Sequence, residues 1–579
     1  MEPGLLQPSE PRRRLQWAAL VVVLLAALYV YRGAFQGFFV QDDYGWLEST
    51  RFSSFREYAG IFFRFNPALS YRPLSQETFF FLAQKVFGMW PPGFHLVSVL
   101  VHLLAVLLVF LISRRFCPVA PSLAGTFFFA LHSAQMRSVY WISAIAEPMA
   151  LVFILTSILF FIRYDRGNDR RAYFFSLPAM GLGMMSKEST LTLPVVLALY
   201  SIFYSRRRIL STLPFFAVSG LYAVLRMTSK AVGAAPYPLT FGPEALGNLA
   251  SYFTWAAGFT DTLLGVKLGR EPASCYPVIA VAFALAVALL VWSARDRKPA
   301  GFALLWFAVA LQPILYFWKH IDPYYLAPAL AALALLIAAS LPEPRGILDW
   351  KGILPAAALA GYVLWFAPPS IRLEGQWWNE RAMVGKRILD QMPAVDRQVP
   401  DDRIAYIFGL TDLDLGILQN DAAFKAFGFS ITKYILMGVD PETPRQIRTL
   451  QAGAGLWDYY CFLYARGTLF NMTEEFRRNP QNFLNPVGLR VTPAEIQSGM
   501  DTMTVEAVNF DAGFIDLMYT LDGKPMPPVT YWKLDPDHRA RVFVDGSTPK
   551  GLYHFVALRD SDYPDDSRWY PIDVRVVVR

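Results

Sequence analysis

The chain has 579 residues, of which 54% are hydrophobic and only 17% charged. Soluble proteins of this length rarely carry so little charge, and the apolar residues fall in long blocks; an ordinary soluble fold is excluded and membrane spans are expected. The net charge of +7 would suggest nucleic acid in a soluble protein, but the basic residues sit in short clusters between apolar runs, so they read as topology signals and no nucleic-acid partner is expected.

Arg12, Arg13 and Arg14 precede an apolar run from Leu15 to Tyr31. The run is nearly long enough to span and has no small-residue cleavage site, so it reads as an uncleaved first helix. Spans are expected at about 15–33, 94–113, 118–133, 147–164, 172–185, 189–205, 211–226, 277–294, 301–318, 325–341 and 351–368. A further apolar stretch, 248–265, is broken by Gly258 and Asp261 and is expected to lie in the interface or re-enter. With the N-terminus inside, Arg114–Arg115, Arg163, Arg166, Arg170, Arg171, Arg206–Arg208, Arg295, Arg297, Lys298, Arg345 and Lys351 all fall on the inner side. Span count and orientation therefore support each other.

The expected fold is a polytopic α-helical membrane protein of about eleven transmembrane helices over residues 1–368, with a long first outer loop at 34–93. A soluble extracytoplasmic tail follows. Residues 369–500 mix helical and strand signals, such as Arg403–Leu410, giving an α/β region. Residues 501–579 read as short strands at Phe514–Thr520, Arg541–Val544, Leu552–Leu558 and Ile572–Val578, with a turn at Asp522-Gly523. That pattern suggests a small, immunoglobulin-like β-sandwich. Cys117, Cys275 and Cys461 are far apart and without metal spacing; no disulfide framework follows, although a single Cys275–Cys461 bridge is open.

The polar residues that could carry chemistry lie in the predicted outer loops. Asp42 and Asp43 are adjacent at a helix end, where partial desolvation and like-charge repulsion would raise one carboxyl toward the range of a useful base; solvated loop acids or a helix cap are the plainer alternative. Arg72, fixed by Pro73, offers a planar fork for phosphate or carboxylate, or for lipid headgroups alone. His95 and His102 share a helical face but lack a third ligand, so no obligatory metal or other cofactor is expected, a divalent ion being left open. The loop after the third helix carries His132, Gln135, Arg137, Tyr140, Trp141 and Ser143. Glu147 then opens an apolar helix, where a charge is costly. Lys187 and Glu188 sit in a short outer turn, either paired with each other or with Lys187 neutralising an anionic substrate; a later turn adds Lys319, His320, Asp322, Tyr324 and Tyr325. The sequon Asn471-Met472-Thr473 is a chance-level match.

In this order, the motifs Asp42-Asp43, Tyr71-Arg72-Pro73-Leu74, the run at 94–102, His132…Gln135…Trp141-Ile142-Ser143 and Ser186-Lys187-Glu188 resemble those of the class C membrane glycosyltransferases. They are most similar to the branch of tetratricopeptide-repeat-linked transmembrane O-mannosyltransferases and their bacterial relatives, over about residues 1–345. Ser133 stands where the relatives usually have Pro, Arg137 where they often have an acid, and no tetratricopeptide array follows the membrane part.

The resemblance implies transfer of a sugar from a polyprenyl-phosphate donor to an acceptor hydroxyl on a protein, glycan or lipid, by a single inverting displacement at the extracytoplasmic face. Asp42 or Asp43 would be the base, Arg72 and Lys187 would bind the lipid phosphate, and Glu147, His132 and Tyr325 would line the sugar pocket. The expected location is the plasma (inner) membrane, with the N-terminus cytoplasmic and membrane lipids as further partners. Two rivals stand beside this. A flippase for lipid-linked sugars predicts polar residues through mid-membrane. A membrane scaffold presenting the tail predicts dispensable first-loop acids.

Overall fold

The computed structural model describes residues 10–63, 71–227, 239–261, 263–264, 275–317, 320–346, 348–410, 412–419, 422–438, 459–465 and 467–478, then 488–493, 495–496, 502–508, 514–521, 524–525, 532–533, 539–543, 551–559 and 569–578. Lys319 and the turn Asp522-Gly523 lie outside them. The chain divides into two compact units, Met1–Gly37 with Ser49–Asn379, and Phe38–Glu48 with Glu380–Arg579.

In chain order the helices are α1 (Glu10–Tyr31), α2 (Asp42–Ser49), α3 (Phe55–Gly60), α4 (Phe79–Phe87), α5 (Pro91–Phe116), α6 (Val119–Ala130), α7 (Met136–Tyr140), α8 (Ala146–Gly167), α9 (Arg170–Met184), α10 (Leu193–Tyr204), α11 (Leu213–Met227), α12 (Glu244–Ala256), α13 (Tyr276–Ser293), α14 (Arg297–Leu311), α15 (Ala327–Ser340) and α16 (Trp350–Asp396). Every expected span falls on one of them. Six helical stretches among the described residues are long and apolar enough to cross a membrane: Arg14–Gln36, Pro91–Phe116, Ile142–Gly167, Tyr276–Ser293, Pro323–Ser340 and Trp350–Asp396. The chain is thus a multi-pass membrane protein. Others are shorter; the 12 residues of α6 rise about 18 Å, well under a hydrocarbon core of about 30 Å.

The core of the first unit forms around α15. Its sequence is alanine and leucine on every side, leaving no polar face for water, and all of its residues are buried. Small residues let neighbours come close: a Cβ added to Gly125 of α6 would lie 2.1 Å from the Ala334 carbonyl oxygen of α15. The α8–α9 hairpin is held by two serines facing each other, Ser157 Oγ donating to the Ser176 carbonyl (2.9 Å) and Ser176 Oγ to that of Ser157 (2.8 Å). Asp169 starts α9 by accepting from the amides of Arg171 and Ala172, a standard N-cap.

Two details depart from or refine the sequence reading. The apolar stretch 248–265 is helical up to Ala256 and breaks where Gly258 takes φ +96°, a conformation that suits glycine. The span expected to end at 368 belongs instead to a 47-residue helix that runs to Asp396. Helix α16 continues through Pro368-Pro369, and Ser370 Oγ donates to the Phe366 carbonyl (2.7 Å) beside them; hydroxyls of this kind help proline-containing helices stay helical in membranes.

In the second unit, β1 (Ile404–Leu410), β2 (Tyr434–Gly438), β3 (Tyr459–Ala465) and β4 (Thr468–Asn471) form a sheet in the order β2-β1-β3-β4. The first three strands are parallel and β4 pairs antiparallel with β3. Lys433 ties this sheet to the end of α16 through Asp396 (2.8 Å) and to Asp401 (3.0 Å). Further strands are β5 (Gly488–Thr492), β6 (Glu495–Ile496), β7 (Thr502–Val508), β8 (Phe514–Leu521), β9 (Lys524–Pro525), β10 (Trp532–Lys533), β11 (Arg539–Phe543), β12 (Gly551–Arg559) and β13 (Trp569–Val578). They make a six-stranded sheet, β10-β8-β12-β13-β6 with β9 on β8, and a three-stranded sheet, β11-β7-β5. All three cysteines are free thiols, so the Cys275–Cys461 bridge does not form.

Candidate functional site

The loops of the first unit assemble three acid–base pairs. Lys187 has an extended backbone (φ −163°, ψ 151°), which sends its side chain away from that of Glu188. The two therefore do not pair with each other, as one reading of the sequence had it. Lys187 Nζ meets Glu147 Oε2 at 2.8 Å, and both side chains are buried. Glu188 Oε2 instead receives both Nε (2.9 Å) and Nη2 (2.7 Å) of Arg72. Arg137 pairs with Asp322, whose other oxygen accepts from the Tyr324 amide (3.2 Å).

Two aromatic faces complete the surroundings of Lys187. Its Nζ lies 4.6 Å from the centroid of Tyr324 and 4.3 Å from that of Tyr325, cation–π distances. Tyr325 and His320 share a hydrogen bond of 2.9 Å. Burial pushes the Lys187 ammonium below its ordinary value, with Glu147 opposing and Arg72 adding to the fall. Burial also lowers His320, helped by Lys187 and Arg72, which keeps that ring neutral beside two cations. For Arg72 burial works against the charge, but Glu188 more than offsets it and the group is held firmly protonated.

The turn that bears Lys187 is joined to the one after Arg72, since Ser75 Oγ donates to the Ser186 carbonyl (2.6 Å) and the Leu74 amide to that of Met185 (3.1 Å). A π-helical turn, Pro73–Thr78, follows Arg72 directly. Arg72, Glu147, Lys187 and Tyr325, which the sequence singled out separately, thus come together. His132 has a different setting. Its Nε2 lies 3.1 Å from the Ala256 carbonyl and its Nδ1 accepts from the Ala134 amide at 3.2 Å, so both ring nitrogens are occupied by backbone and the ring fixes the loop. His95 and His102 are buried against the carbonyls of Val139 (3.3 Å) and Ala130 (2.9 Å). No cluster of three metal-ligating side chains occurs among the described residues.

Asp42 and Asp43 belong to the second unit. Gln41 takes φ +51° just before α2, and the two acids part company there: Asp42 is exposed, Asp43 fully buried. Asp43 Oδ2 accepts from the Val40 amide (3.0 Å), while Asp42 Oδ1 accepts from Gln419 Nε2 (3.1 Å). The segment is held by Gln41 N to the Ile417 carbonyl (2.7 Å), Gly45 N to Gln419 Oε1 (3.2 Å) and rings of Phe38, Phe39 and Tyr44 around Phe427.

Sequence reasoning read Asp261 only as a break in an apolar stretch, whereas it accepts from Trp255 Nε1 (2.6 Å) and the Tyr276 hydroxyl; it missed two residues of α16, Glu374 and Trp378, both buried. Both lie beyond the apolar run that ends near Pro368-Pro369, among other polar residues, so nothing in the sequence marked them.

Residues 73–230 match the dolichyl-phosphate-mannose-protein mannosyltransferase family. Protein O-mannosyl-transferase Tmtc1 of Drosophila melanogaster is 27% identical over 197 residues, 29% of this chain and 23% of the fly protein. The chain thus spans under a quarter of that curated relative. Among solved structures, ArnT from Cupriavidus metallidurans in the apo state is 14% identical with a TM-score of 0.44, covering 83% of this chain and 96% of ArnT. The Archaeoglobus fulgidus oligosaccharyltransferase is 12% identical with a TM-score of 0.46, covering 95% and 76%. His132, Glu147 and Lys187 lie inside the matched family segment; Asp42, Asp43, Arg72 and Tyr325 lie outside it. The expected resemblance is borne out: over residues 73–230 this chain is similar to the dolichyl-phosphate-mannose-protein mannosyltransferases.

Proposed function

We propose that the protein is a membrane glycosyltransferase that moves a sugar from a polyprenyl-phosphate donor to an acceptor hydroxyl at the extracytoplasmic face of the plasma membrane. The observation that carries this is a cationic cluster at the family-matched segment: buried Lys187 within it and Arg72 just before it, each set against a carboxylate, with Lys187 also facing two tyrosines. A lipid phosphate is the anion such a membrane-embedded cluster suits, since it arrives through the bilayer and can exchange for Glu147 and Glu188 as counter-ion.

In the proposed step the acceptor oxygen attacks the anomeric carbon as the bond from that carbon to the phosphate oxygen breaks. The electron pair leaves on the phosphate, whose growing charge Lys187 and Arg72 take up, and the configuration inverts. A carboxylate receives the acceptor proton. We assign that role to Asp42, which is exposed, rather than to Asp43, whose carboxylate is turned inward onto Val40. Glu147 and Tyr325 border the sugar, and His132 holds the loop that leads to Glu147. In the same reading about eleven helices span, the N-terminus is cytoplasmic, the tail is extracytoplasmic, and its last strands form a β-sandwich.

Incubating purified protein with a panel of polyprenyl-phosphate sugars tests the reading. Release of free polyprenyl phosphate, dependent on Lys187 and Arg72, is the expected result. Absence of release with every donor, with and without acceptors, would overturn it.

A further inference from the structure

The pairs around Lys187 account for the charge of the site but leave several buried polar atoms unmatched. Among the described residues, the indole nitrogens of Trp141 and Trp378, Nε2 of Gln135 and Oε1 of Glu147 are buried without a hydrogen-bond partner. Leaving such groups unpaired is unfavourable, and native proteins seldom keep several in one region without a use for them.

These atoms belong to one neighbourhood, Gln135 ending a turn that packs on the one bearing Tyr324. The Trp141 and Trp378 rings are 6.0 Å apart, and Trp141 meets Tyr324 edge-on at 6.2 Å. Tyr324 is the ring that Lys187 Nζ approaches, and Glu147 Oε2 is the oxygen bonded to that same Nζ. An aromatic wall therefore runs from the cation through Tyr324 and Trp141 to Trp378. The three indole and amide groups are donors, whereas Glu147 Oε1 is an acceptor. A second anion would satisfy the donors and be repelled by Glu147. An apolar chain would satisfy neither. A neutral polyhydroxylated ring satisfies both, since each hydroxyl donates and accepts, and its C–H face packs on indole.

We infer that Trp141 and Trp378, with Tyr324 and Glu147, form the subsite that reads the hexose of the lipid-linked donor, while Lys187 and Arg72 read only its phosphate. This rests on the donor class proposed above and adds which side chains distinguish the sugar-bearing lipid from the spent one.

The test measures binding of dolichyl phosphate and of dolichyl-phosphate mannose, glucose and galactose to the purified full chain in detergent, for wild type, Trp141→Phe, Trp378→Phe and Lys187→Met. Phenylalanine keeps the ring and removes only the N–H, and a thermal unfolding curve verifies that each variant is folded. Wild type should bind at least one sugar-bearing lipid more tightly than dolichyl phosphate. Each Trp→Phe change should weaken that lipid about two- to tenfold, the range for one hydrogen bond, and leave dolichyl phosphate unchanged. Lys187→Met should weaken both classes. If wild type binds none of the lipids, the donor reading itself fails. If it binds them all alike, or both Trp→Phe variants retain the full preference, the sugar subsite is wrong and the donor reading stands.

Discussion

At the scale of single residues, the two candidate bases are separable because the backbone puts them in different surroundings. Asp42→Asn should lower kcat by about a hundred- to ten-thousand-fold, the usual loss for a positioned base, with donor binding unchanged. Asp43→Asn keeps an oxygen for the Val40 amide and should retain most activity, whereas Asp43→Ala should lower stability by about 1 kcal/mol, as lost caps do. Full activity in Asp42→Asn would remove the assignment. Lys187 gives a pH signature. Its ammonium loses its proton at lower pH than an ordinary lysine, so donor binding should fall on the alkaline side earlier than a free lysine would dictate. Lys187→Arg, always protonated, should move that limb to higher pH; an unmoved limb would show that Lys187 does not set it. The sequence marked Glu147 by the cost of a charge in an apolar helix, Arg72 by its fork beside Pro73 and Lys187 by its place in a short outer turn, but not who pairs with whom. Glu188 follows Lys187 directly, and only the extended backbone at Lys187 decides that the neighbours serve different partners.

For helices the informative feature is close approach. The reciprocal Ser157–Ser176 contact should contribute modestly: interhelical hydrogen bonds in membranes average about 0.6 kcal/mol in mutant cycles, so Ser157→Ala with Ser176→Ala should lower the melting temperature only slightly. Gly125→Val should cost more, about 1–3 kcal/mol as overpacking does, because the Ala334 carbonyl belongs to a helix buried on all sides and has nowhere to retreat. Detergent melting curves compare the two, and a larger loss from the serines would reverse the ranking. Helix positions were legible because each is an apolar block bounded by charge. The end of α16 was not, since the apolar run stops near Pro368-Pro369 while the helix continues. Glu374 and Trp378 were lost to the reading for that reason alone.

At the scale of the whole molecule, the chain order is interrupted: residues 38–48 join a unit whose remaining residues begin at 380. The tail is accordingly part of what holds Asp42 in place. Phe427→Ala, at a half-buried ring, should cost about 1–2 kcal/mol locally, less than full burial of an aromatic side chain. It should reduce transfer activity without weakening donor binding; loss of both together would contradict this. Orientation is open to thiol labelling in intact cells. Ser53→Cys should react with an impermeant reagent, and Arg171→Cys only after permeabilisation; the reverse pattern would invert the topology and end the extracytoplasmic reading.

Glu147 and Glu188 are the counter-ions of Lys187 and Arg72. Any headgroup that docks must evict two carboxylates, which then sit poorly solvated beside it. In the proposed reaction they would reclaim their cations as the headgroup loosens, so these ion pairs would themselves drive discharge of the used carrier. With glutamine at both positions that pull disappears, and the carrier should linger until its departure limits each cycle.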